Sequence, residues 1–163
     1  MAILNGRMRR AEKEIHSRAL IDQILGQAEV CRLALCKDNR PYLVPVSFGY
    51  DGSCLYFHTA MEGMKLEFLA ANNRVCFEVE HGVKLVPNEA NPCGWSCAYL
   101  SVIGFGRAEE IPDRAGKEEG LNHILRHYSG RSWSWEGQSL EKLRVWRIVI
   151  EQITGKRSGG ATL

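Results

Sequence analysis

The sequence predicts a mainly β, α+β fold, with six antiparallel strands in a closed or nearly closed barrel and helices packed outside it. Segments of alternating apolar and polar residues recur along the chain, as in strands that bury one face. Several of these segments are joined by short connections rich in Asp, Asn and Gly, which are typical of hairpins. The chain lacks the regular strand–helix–strand order of a doubly wound sheet. Together these observations favour a small antiparallel barrel.

The six predicted strands cover residues 30–36, 41–50, 53–59, 75–80, 98–111 and 143–154. Residues 37–39 turn the first strand into the second. Asp51 and Gly52 predict a two-residue hairpin between the second and third strands, because both central positions of such a turn favour positive φ angles. The first three strands therefore form a meander. In the fifth strand, Gly104 and Gly106 predict a bulge or a close backbone approach.

Three helices are predicted between and before these strands. Ser17 is a suitable N-cap for a helix that ends near Gln27, and two further helices cover residues 63–72 and 113–128. Residues 81–97 are rich in Pro, Asn and Gly and have no periodicity, so they are predicted to form a loop. A loop of this length is usually a functional lid or a partner contact.

The composition is that of an ordinary globular domain. The 163 residues are enough to bury a core, and residues 1–163 are predicted as one domain with flexible tails at residues 1–8 and 157–163. The chain has 21 basic and 19 acidic residues, for a net charge of +2. This balance gives no strong field that would recruit nucleic acid or an acidic membrane surface.

The sequence has no signal-peptide pattern at its start and no run near the roughly 18 apolar residues of a membrane span. The expected location is therefore the cytoplasm, where the six cysteines would remain thiols. Cys93 and Cys97 enclose three residues, a spacing that fits neither a zinc knuckle nor a redox pair. No metal site is predicted.

A candidate anion site follows the third predicted strand. This strand ends in His58, Thr59 and Ala60, and the next helix carries Lys65 in its first turn. A helix N-terminus has free N–H groups and favours negative charge, and a lysine adds a full positive charge. The pattern predicts a phosphate group at this position, as in a nucleotide cofactor. A solvated helix lysine is the alternative for Lys65.

Five short segments, taken together, resemble the FMN-binding split-barrel superfamily. More narrowly, they resemble its pyridoxamine 5′-phosphate oxidase-like branch, which includes the 5-nitroimidazole resistance proteins. The resemblance extends from about residue 9 to residue 156. The segments are residues 41–46 (PYLVPV), 55–60 (LYFHTA), 63–65 (GMK), 101–106 (SVIGFG) and 153–156 (ITGK).

The resemblance implies a homodimer that binds two FMN molecules in clefts between the subunits. Lys65 would pair with the phosphate of FMN. Ser101 and Trp146 would come from the second subunit, and Trp95 is a further candidate for contact with the cofactor. The remaining implied contacts lie on two strands of the first subunit: Val44, Pro45, Val46 and Ser47, and Phe57, His58, Thr59 and Ala60.

The chain departs from the true pyridoxamine phosphate oxidases at two places. Leu43 and Val44 stand where those enzymes have a phosphate-binding arginine, and their arginine-rich C-terminal segment is not recognisable. Oxidation of vitamin B6 is therefore not expected. His58 is the candidate catalytic residue, since it could orient a substrate, supply a proton or place positive charge near the flavin. A purely structural histidine is the alternative.

The function predicted from the resemblance is that of an FMN-dependent oxidoreductase. It would pass electrons from a reductant, expected to be NAD(P)H, to a small organic acceptor such as a nitroaromatic compound. A flavin-binding carrier or sensor with little turnover is the main alternative. A split barrel that has lost its flavin and serves as a dimeric interaction protein or a haem-related protein is a third.

Overall fold

The computed structural model describes residues 8–163, so most of the predicted tail at residues 1–8 lies outside the described residues. Residues 8–163 form one antiparallel sheet of eight strands with three α-helices. The strands are β1 (Glu14–Ile15), β2 (Cys31–Lys37), β3 (Arg40–Val46), β4 (Gly49–Tyr50), β5 (Cys54–Thr59), β6 (Arg74–Val86), β7 (Ser96–Ile111) and β8 (Arg144–Ser158). The helices are α1 (Arg18–Gln27), α2 (Met64–Ala71) and α3 (Arg114–Ser129).

The structure confirms the α+β split-barrel class but has eight strands where six were predicted. The short strand β1 was not predicted, and the predicted strand at 41–50 divides into β3 and β4. The division falls at Ser47 and Phe48. The backbone N–H of Phe48 donates to the hydroxyl of Tyr128 on α3, at 3.1 Å, instead of to a neighbouring strand.

The hairpin at residues 51–52 differs from its prediction. The last pair of β4 and β5 is Tyr50 with Leu55, so four residues lie between these two paired residues, and of Asp51 and Gly52 only Gly52 has a positive φ. The Asp51 carboxylate accepts hydrogen bonds from the backbone N–H groups of Ser53 and Cys54, each at 2.7 Å. This carboxylate, which the sequence pattern does not reveal, shapes the longer turn.

The tight two-residue turn lies instead between β2 and β3. Asp38 and Asn39 have φ angles of 49° and 61°, and Lys37 pairs with Arg40 across the turn. Positive φ at both central positions matches the twist of the flanking strands.

The sheet closes on itself through the chain. Its strand order is β3-β2-β6-β7-β8-β5-β4, and β1 pairs with β8. The first and last strands of this order, β3 and β4, are joined by only Ser47 and Phe48, so the sheet must curl into a barrel. The interior is filled by large apolar side chains that include Phe48, Phe57 and Phe77, all at most 1% exposed.

The two glycines of β7 have the role that the sequence predicts. A Cβ atom at Gly104 would lie 2.2 Å from the ring of Phe77, so only glycine lets this ring fill the barrel. The register of β7 against β8 shifts between Phe105 and Gly106, which is a β-bulge.

The predicted loop at residues 81–97 is largely a hairpin arm. β6 continues to Val86 and β7 begins at Ser96, which leaves residues 87–95 as the connection. A register shift between His81 and Lys84, where Gly82 has a φ of 65°, interrupts the alternation that would identify a strand. The predicted tail at residues 157–163 also differs, because β8 runs to Ser158 and Ala161 is buried.

Helix α3 covers one half of the outside of the barrel. A buried cluster joins α3 to β5 and β8, and consists of Tyr56, Leu121, Ile124, Leu140 and Val145. Gly49 of β4 approaches the backbone of α3 so closely that a Cβ atom there would lie 2.3 Å from the carbonyl carbon of His123.

The other half of the outside has no such cover among the described residues. We call it the bare face and define it by outward side chains of β2, β3, β6 and β7 that lie in two rows across the sheet. None of these residues belongs to a buried apolar cluster. The first row is Leu43, Ala34, Cys76 and Phe105, and the second is Pro45, Arg32, Glu78 and Ile103.

Candidate functional site

The barrel is split where β3 and β5 face each other. β3 has a single neighbour in the sheet, β2, and the pairing of β4 with β5 ends at Gly49 and Tyr56. Within residues 8–163, no strand pairing joins residues 44–47 to residues 57–60. The facing backbone groups of these two segments therefore lack the ladder partners that strands normally provide, and are available to a ligand.

The register explains which side chains meet at this split. Gly49 pairs with Tyr56, and extending this register brings Ser47 opposite His58 and Pro45 opposite Ala60. All four of these predicted site residues have exposed side chains. Because neighbouring side chains in a strand point to opposite faces, the residues between them point inward.

The inward-facing members of the predicted site belong to the core. Val46, Phe57 and Thr59 are buried, and Val44 is half-buried against the same core. Their side chains have little or no surface for a ligand, so only their backbone groups could bind one. Phe57 and Thr59 therefore point into the barrel, and His58 points outward.

Trp146 lies beneath the split of its own chain. Its ring is stacked on Phe57, with centroids 6.2 Å apart, and its Nε1–H donates to the Thr59 hydroxyl at 3.2 Å. The Thr59 hydroxyl in turn donates to the carbonyl of Ala60 at 2.9 Å. Since Trp146 is only 8% exposed, its burial speaks against the expected contact with a cofactor in the other subunit.

Ser101 lies far across the sheet from this split. It is buried on β7, between Glu80 of β6 and Lys156 of β8 in the register. Its assignment to a second subunit's site stays a prediction. Trp95, the other predicted tryptophan, is 45% exposed and is the last residue of the connection at the tip of the arm, directly before β7 begins.

Lys65 and the start of α2 form the positive end of the split. Gly63 precedes α2 with a φ of 127° and provides no side-chain cap. The first backbone donor to reach Gly63 is Leu66, at 3.0 Å, so the N–H groups of Met64 and Lys65 remain outside the helical ladder. The Lys65 ammonium has no ion-pair partner within residues 8–163. The arrangement can bind an anion through one full charge and two backbone donors.

The positive charge of Lys65 affects the imidazole of His58. Partial burial lowers the pKa of the His58 imidazole below its usual 6.5, and the charge of Lys65 lowers it further. Both effects favour the uncharged imidazole over the imidazolium, so His58 carries less positive charge than an unperturbed histidine would at the same pH.

An ionic cluster on the bare face was not found from the sequence. The Arg32 guanidinium pairs with Glu78 at 3.3 Å and with Glu80 at 2.8 Å. Burial raises the pKa of Glu78, and the neighbouring Glu80 charge adds to the rise. Alternation along β6 places Glu78 and Glu80 on the same face, and this is the sequence pattern from which the cluster could have been predicted.

Two structural findings bear on other classes of function. In the described part of the chain, no group of three or more His, Cys, Asp or Glu residues is arranged to bind a metal ion. Among the described helices, none has the length and apolar character needed to cross a membrane.

Comparisons with known proteins agree with this architecture. A structure of a candidate 5-nitroimidazole antibiotic resistance protein from Bacteroides thetaiotaomicron is 34% identical, with a TM-score of 0.77; the match covers 88% of this chain and 85% of that protein. The structure of an FAD-binding protein from Mesorhizobium loti is 28% identical, with a TM-score of 0.62; the match covers 87% of this chain and 95% of that protein.

A third relative, identified by sequence, is an uncharacterized protein of Rhizobium meliloti that is 28% identical over 147 residues. The match covers 86% of this chain and 82% of that protein. The sequence pattern of the pyridoxamine 5′-phosphate oxidase family matches residues 17–157. That range contains the split, Lys65 and the bare face. The chain therefore belongs to the pyridoxamine 5′-phosphate oxidase family.

Proposed function

We propose that this protein is an FMN-binding oxidoreductase that uses the split of its barrel as the cofactor site. The observation that carries the proposal is that residues 44–47 and 57–60 face each other without pairing. These two edges lead to Lys65 and to the start of α2, which has no side-chain cap. These groups suit a ligand with a phosphate at one end and a polar ring system at the other.

The phosphate of FMN would be held by Lys65 and by the N–H groups of Met64 and Lys65. Charge-assisted hydrogen bonds of this kind are worth roughly 1.5 to 3 kcal/mol each. A terminal phosphate monoester uses both the charge and the helix N-terminus, which favours FMN. FAD is the competing flavin, because the relative from Mesorhizobium loti is named as an FAD-binding protein.

The ring system would lie along residues 44–47, where Pro45 and Ser47 are exposed and the backbone edge is unpaired. A bound flavin would supply the redox chemistry, the two-electron transfer from NAD(P)H to an organic acceptor. The chain would contribute binding and orientation. His58, whose pKa is lowered by partial burial and by Lys65, is the proposed catalytic residue and would exchange a proton with the acceptor.

A homodimer is part of this proposal. Leu43, Ile103 and Phe105 are 61%, 40% and 36% exposed on the bare face, and apolar residues clustered on one face mark an interaction surface. A twofold contact would cover the bare face with its own copy. Residues of the second subunit, among them Ser101, would then complete each flavin site. We place the protein in the cytoplasm, where its six free cysteines would stay reduced.

A flavin carrier or sensor is the second candidate. Apart from Lys65, His58 is the one residue with a titratable side chain among the predicted site residues. This small number of acid–base groups favours the second candidate. A protein that only binds flavin needs no further acid or base.

Flavin binding is tested by calorimetry of the wild type and of Lys65→Ala with FMN and with riboflavin. We expect the variant to bind FMN about tenfold to a hundredfold more weakly, in line with one or two charge-assisted bonds, and to bind riboflavin as before. Lys142→Ala, which removes an exposed lysine elsewhere, is the matched control. Equal losses for FMN and riboflavin, or no binding of either, would refute the site.

Turnover is tested separately by adding NADH or NADPH to the flavin-loaded protein without oxygen. Bleaching of the flavin absorbance, followed by its return when a nitroaromatic acceptor is added, is the expected result. A flavin that neither nucleotide bleaches would favour the carrier or sensor role. Mass spectrometry of the released cofactor distinguishes FMN from FAD.

A further inference from the structure

The bare face continues across β7 onto β8. In the register, Ile103 of its second row pairs with Thr154 of β8. A third row lies on the same face, two residues further along each strand, because side chains alternate between faces. The third row consists of Glu80, Ser101 and Lys156.

Lys156 is a half-buried cation at the end of the third row. Its ammonium group donates to the hydroxyl of Tyr99 at 3.0 Å and lies 5.5 Å from the centre of the Tyr99 ring. Within residues 8–163, no carboxylate forms an ion pair with Lys156, and Glu80 of the same row is paired with Arg32 at 2.8 Å. Lys156 therefore presents a positive charge that its own chain leaves unbalanced.

The bare face is complementary to itself. Both of its edges are apolar, with Leu43 and Pro45 on β3 and Ile103 and Phe105 on β7. Between these edges, β2 carries the Arg32 cation and β6 carries the Glu78 and Glu80 carboxylates. A twofold axis parallel to the strands, between β2 and β6, would place β3 of one copy on β7 of the other and β2 on β6. Apolar edges would then meet, and the cation would face carboxylates of the partner.

Charge favours this axis over the alternative. When two sheets pack in alignment, their strands stay within about 30° of each other, so a twofold axis runs either along the strands or across them. An axis across the strands would place β6 on β6, so that the carboxylates Glu78 and Glu80 would face their own copies. Like charges repel, and the axis along the strands avoids this contact.

The favoured axis also brings β8 of one copy to the split of the other. β8 is the strand next to β7, and β5 lies next to β3 across the split. At the level of the third row, Ser101 of the partner subunit would lie on Ser47, and Lys156 of the partner subunit would lie beside His58. Because the outer surface of a barrel is convex, the two copies diverge at these edges and leave a cleft for a ligand.

We propose that Lys156 acts across the dimer interface, where its ammonium group faces the flavin ring in the split of the partner copy and makes that flavin easier to reduce. The proposal rests on the proposed flavin site and homodimer. A reduced flavin carries more negative charge than an oxidised one, so a nearby cation stabilises the reduced form more. Within its own chain, Lys156 lies far along β8 from Val145, the residue that pairs with His58.

The charge is tested by the midpoint potential of the bound flavin, measured by spectroelectrochemical titration. In Lys156→Gln, we expect reduced FMN to bind about tenfold more weakly relative to oxidised FMN, which lowers a two-electron potential by about 30 mV. Lys156→Arg should keep the wild-type potential because it keeps the charge. Lys142→Gln, which removes an exposed lysine elsewhere, is the matched control. Analytical ultracentrifugation verifies that each variant is a dimer.

Action across the interface is tested with a heterodimer of one Lys156→Gln copy and one Lys65→Ala copy, purified through two different tags. One of its two sites combines Lys65 of the first copy with Lys156 of the second. This site should bind FMN with wild-type affinity and wild-type midpoint potential. If Lys156 acted within its own chain, the tight site would instead have the lowered potential.

Failure of this inference and failure of the proposed function are distinguishable. A flavin-loaded, dimeric Lys156→Gln with the wild-type potential, an equal loss in Lys156→Arg, or a lowered potential in the tight site of the heterodimer would overturn this inference and leave the flavin site standing. A wild type that takes up no FMN, measured by its visible spectrum, would overturn the proposed function and this inference with it.

Discussion

The two halves of the barrel's outer surface carry similar apolar side chains but are completed in different ways. Under α3, Tyr56 and Val145 are buried by a helix of the same chain. On the bare face, Leu43 and Phe105 stand at comparable positions of the sheet and remain exposed. The covered half is thus built for stability of the single chain, and the bare half for a contact with another molecule.

The largest effect is expected from Gly49→Ala on the covered half. The new Cβ atom would lie 2.3 to 2.5 Å from backbone atoms of His123 and Ile124, which cannot move without displacing α3. We expect a loss of about 3 kcal/mol in the free energy of unfolding, measured by urea denaturation. Gly26→Ala is the matched control, since a Cβ atom there meets nothing within 4 Å. It should stabilise the protein by about 0.5 kcal/mol, because alanine favours a helix interior. Equal effects of the two variants would contradict close packing under α3.

Phe105→Asp should act on association and leave folding of the single chain nearly unchanged. A charge at the β7 end of the bare face should weaken the proposed dimer by about 2 kcal/mol, or roughly thirtyfold in dissociation constant. Analytical ultracentrifugation over a concentration series measures this shift. Leu163→Asp, at an apolar residue of similar exposure near the C-terminus, is the control. A wild type that is monomeric throughout the series would refute the proposed homodimer.

Trp146→Phe probes the core that both halves share. Phenylalanine can keep the stacking on Phe57 but loses the Nε1–H bond to the Thr59 hydroxyl. We expect a loss of about 1 kcal/mol in the free energy of unfolding, the usual net value of one buried hydrogen bond. In a Thr59→Val background the same change should cost clearly less. An identical cost in both backgrounds would mean that this hydrogen bond contributes nothing.

The smallest effect is expected from the pH dependence of His58. Because its pKa in the folded protein is lowered from 6.5, the folded state binds fewer protons than the unfolded state. The contribution of His58 is therefore full above pH 6.5 and is lost as the pH falls towards the folded-state pKa. His58→Asn should reduce the fall in Tm between pH 7.5 and pH 5.5. His16→Asn, at an exposed histidine near α1, serves as comparison. A larger fall in His58→Asn than in the wild type would reverse the assigned sign.

Much of the fold could be predicted because alternation and turn residues are local signals. The strand at β5, the capping of α1 by Ser17 and the glycines of β7 are all present in the structure. The errors arise where a distant or irregular feature decides the structure. Tyr128 on α3 separates β3 from β4 at Phe48, and the shift after His81 hides the second half of β6.

The sequence was enough to predict which segments form the candidate site, but not which of their side chains lie on its surface. The structure has His58 on β5 and Lys65 in the first turn of α2, where the sequence pattern placed them. Ser47, predicted within a strand, lies in the break between β3 and β4. Periodicity alone could not say which face of β5 points inward, because both of its faces are apolar over Tyr56 and Phe57. The ionic cluster of Arg32, Glu78 and Glu80 was missed for a related reason: it depends on the register between β2 and β6, which no single segment encodes.

The prolines of β3 have a consequence for the behaviour of the protein without its ligand. Pro41 and Pro45 are an even number of residues apart in β3, so the N–H that each lacks would point to the same edge of the strand. Proline is tolerated in a sheet where its missing N–H would face away from the neighbouring strand. The open edge of β3 therefore has few amide donors with which a foreign strand could pair. Such an edge resists intermolecular sheet growth, so the protein can keep a strand unpaired for a small molecule with little risk of aggregation.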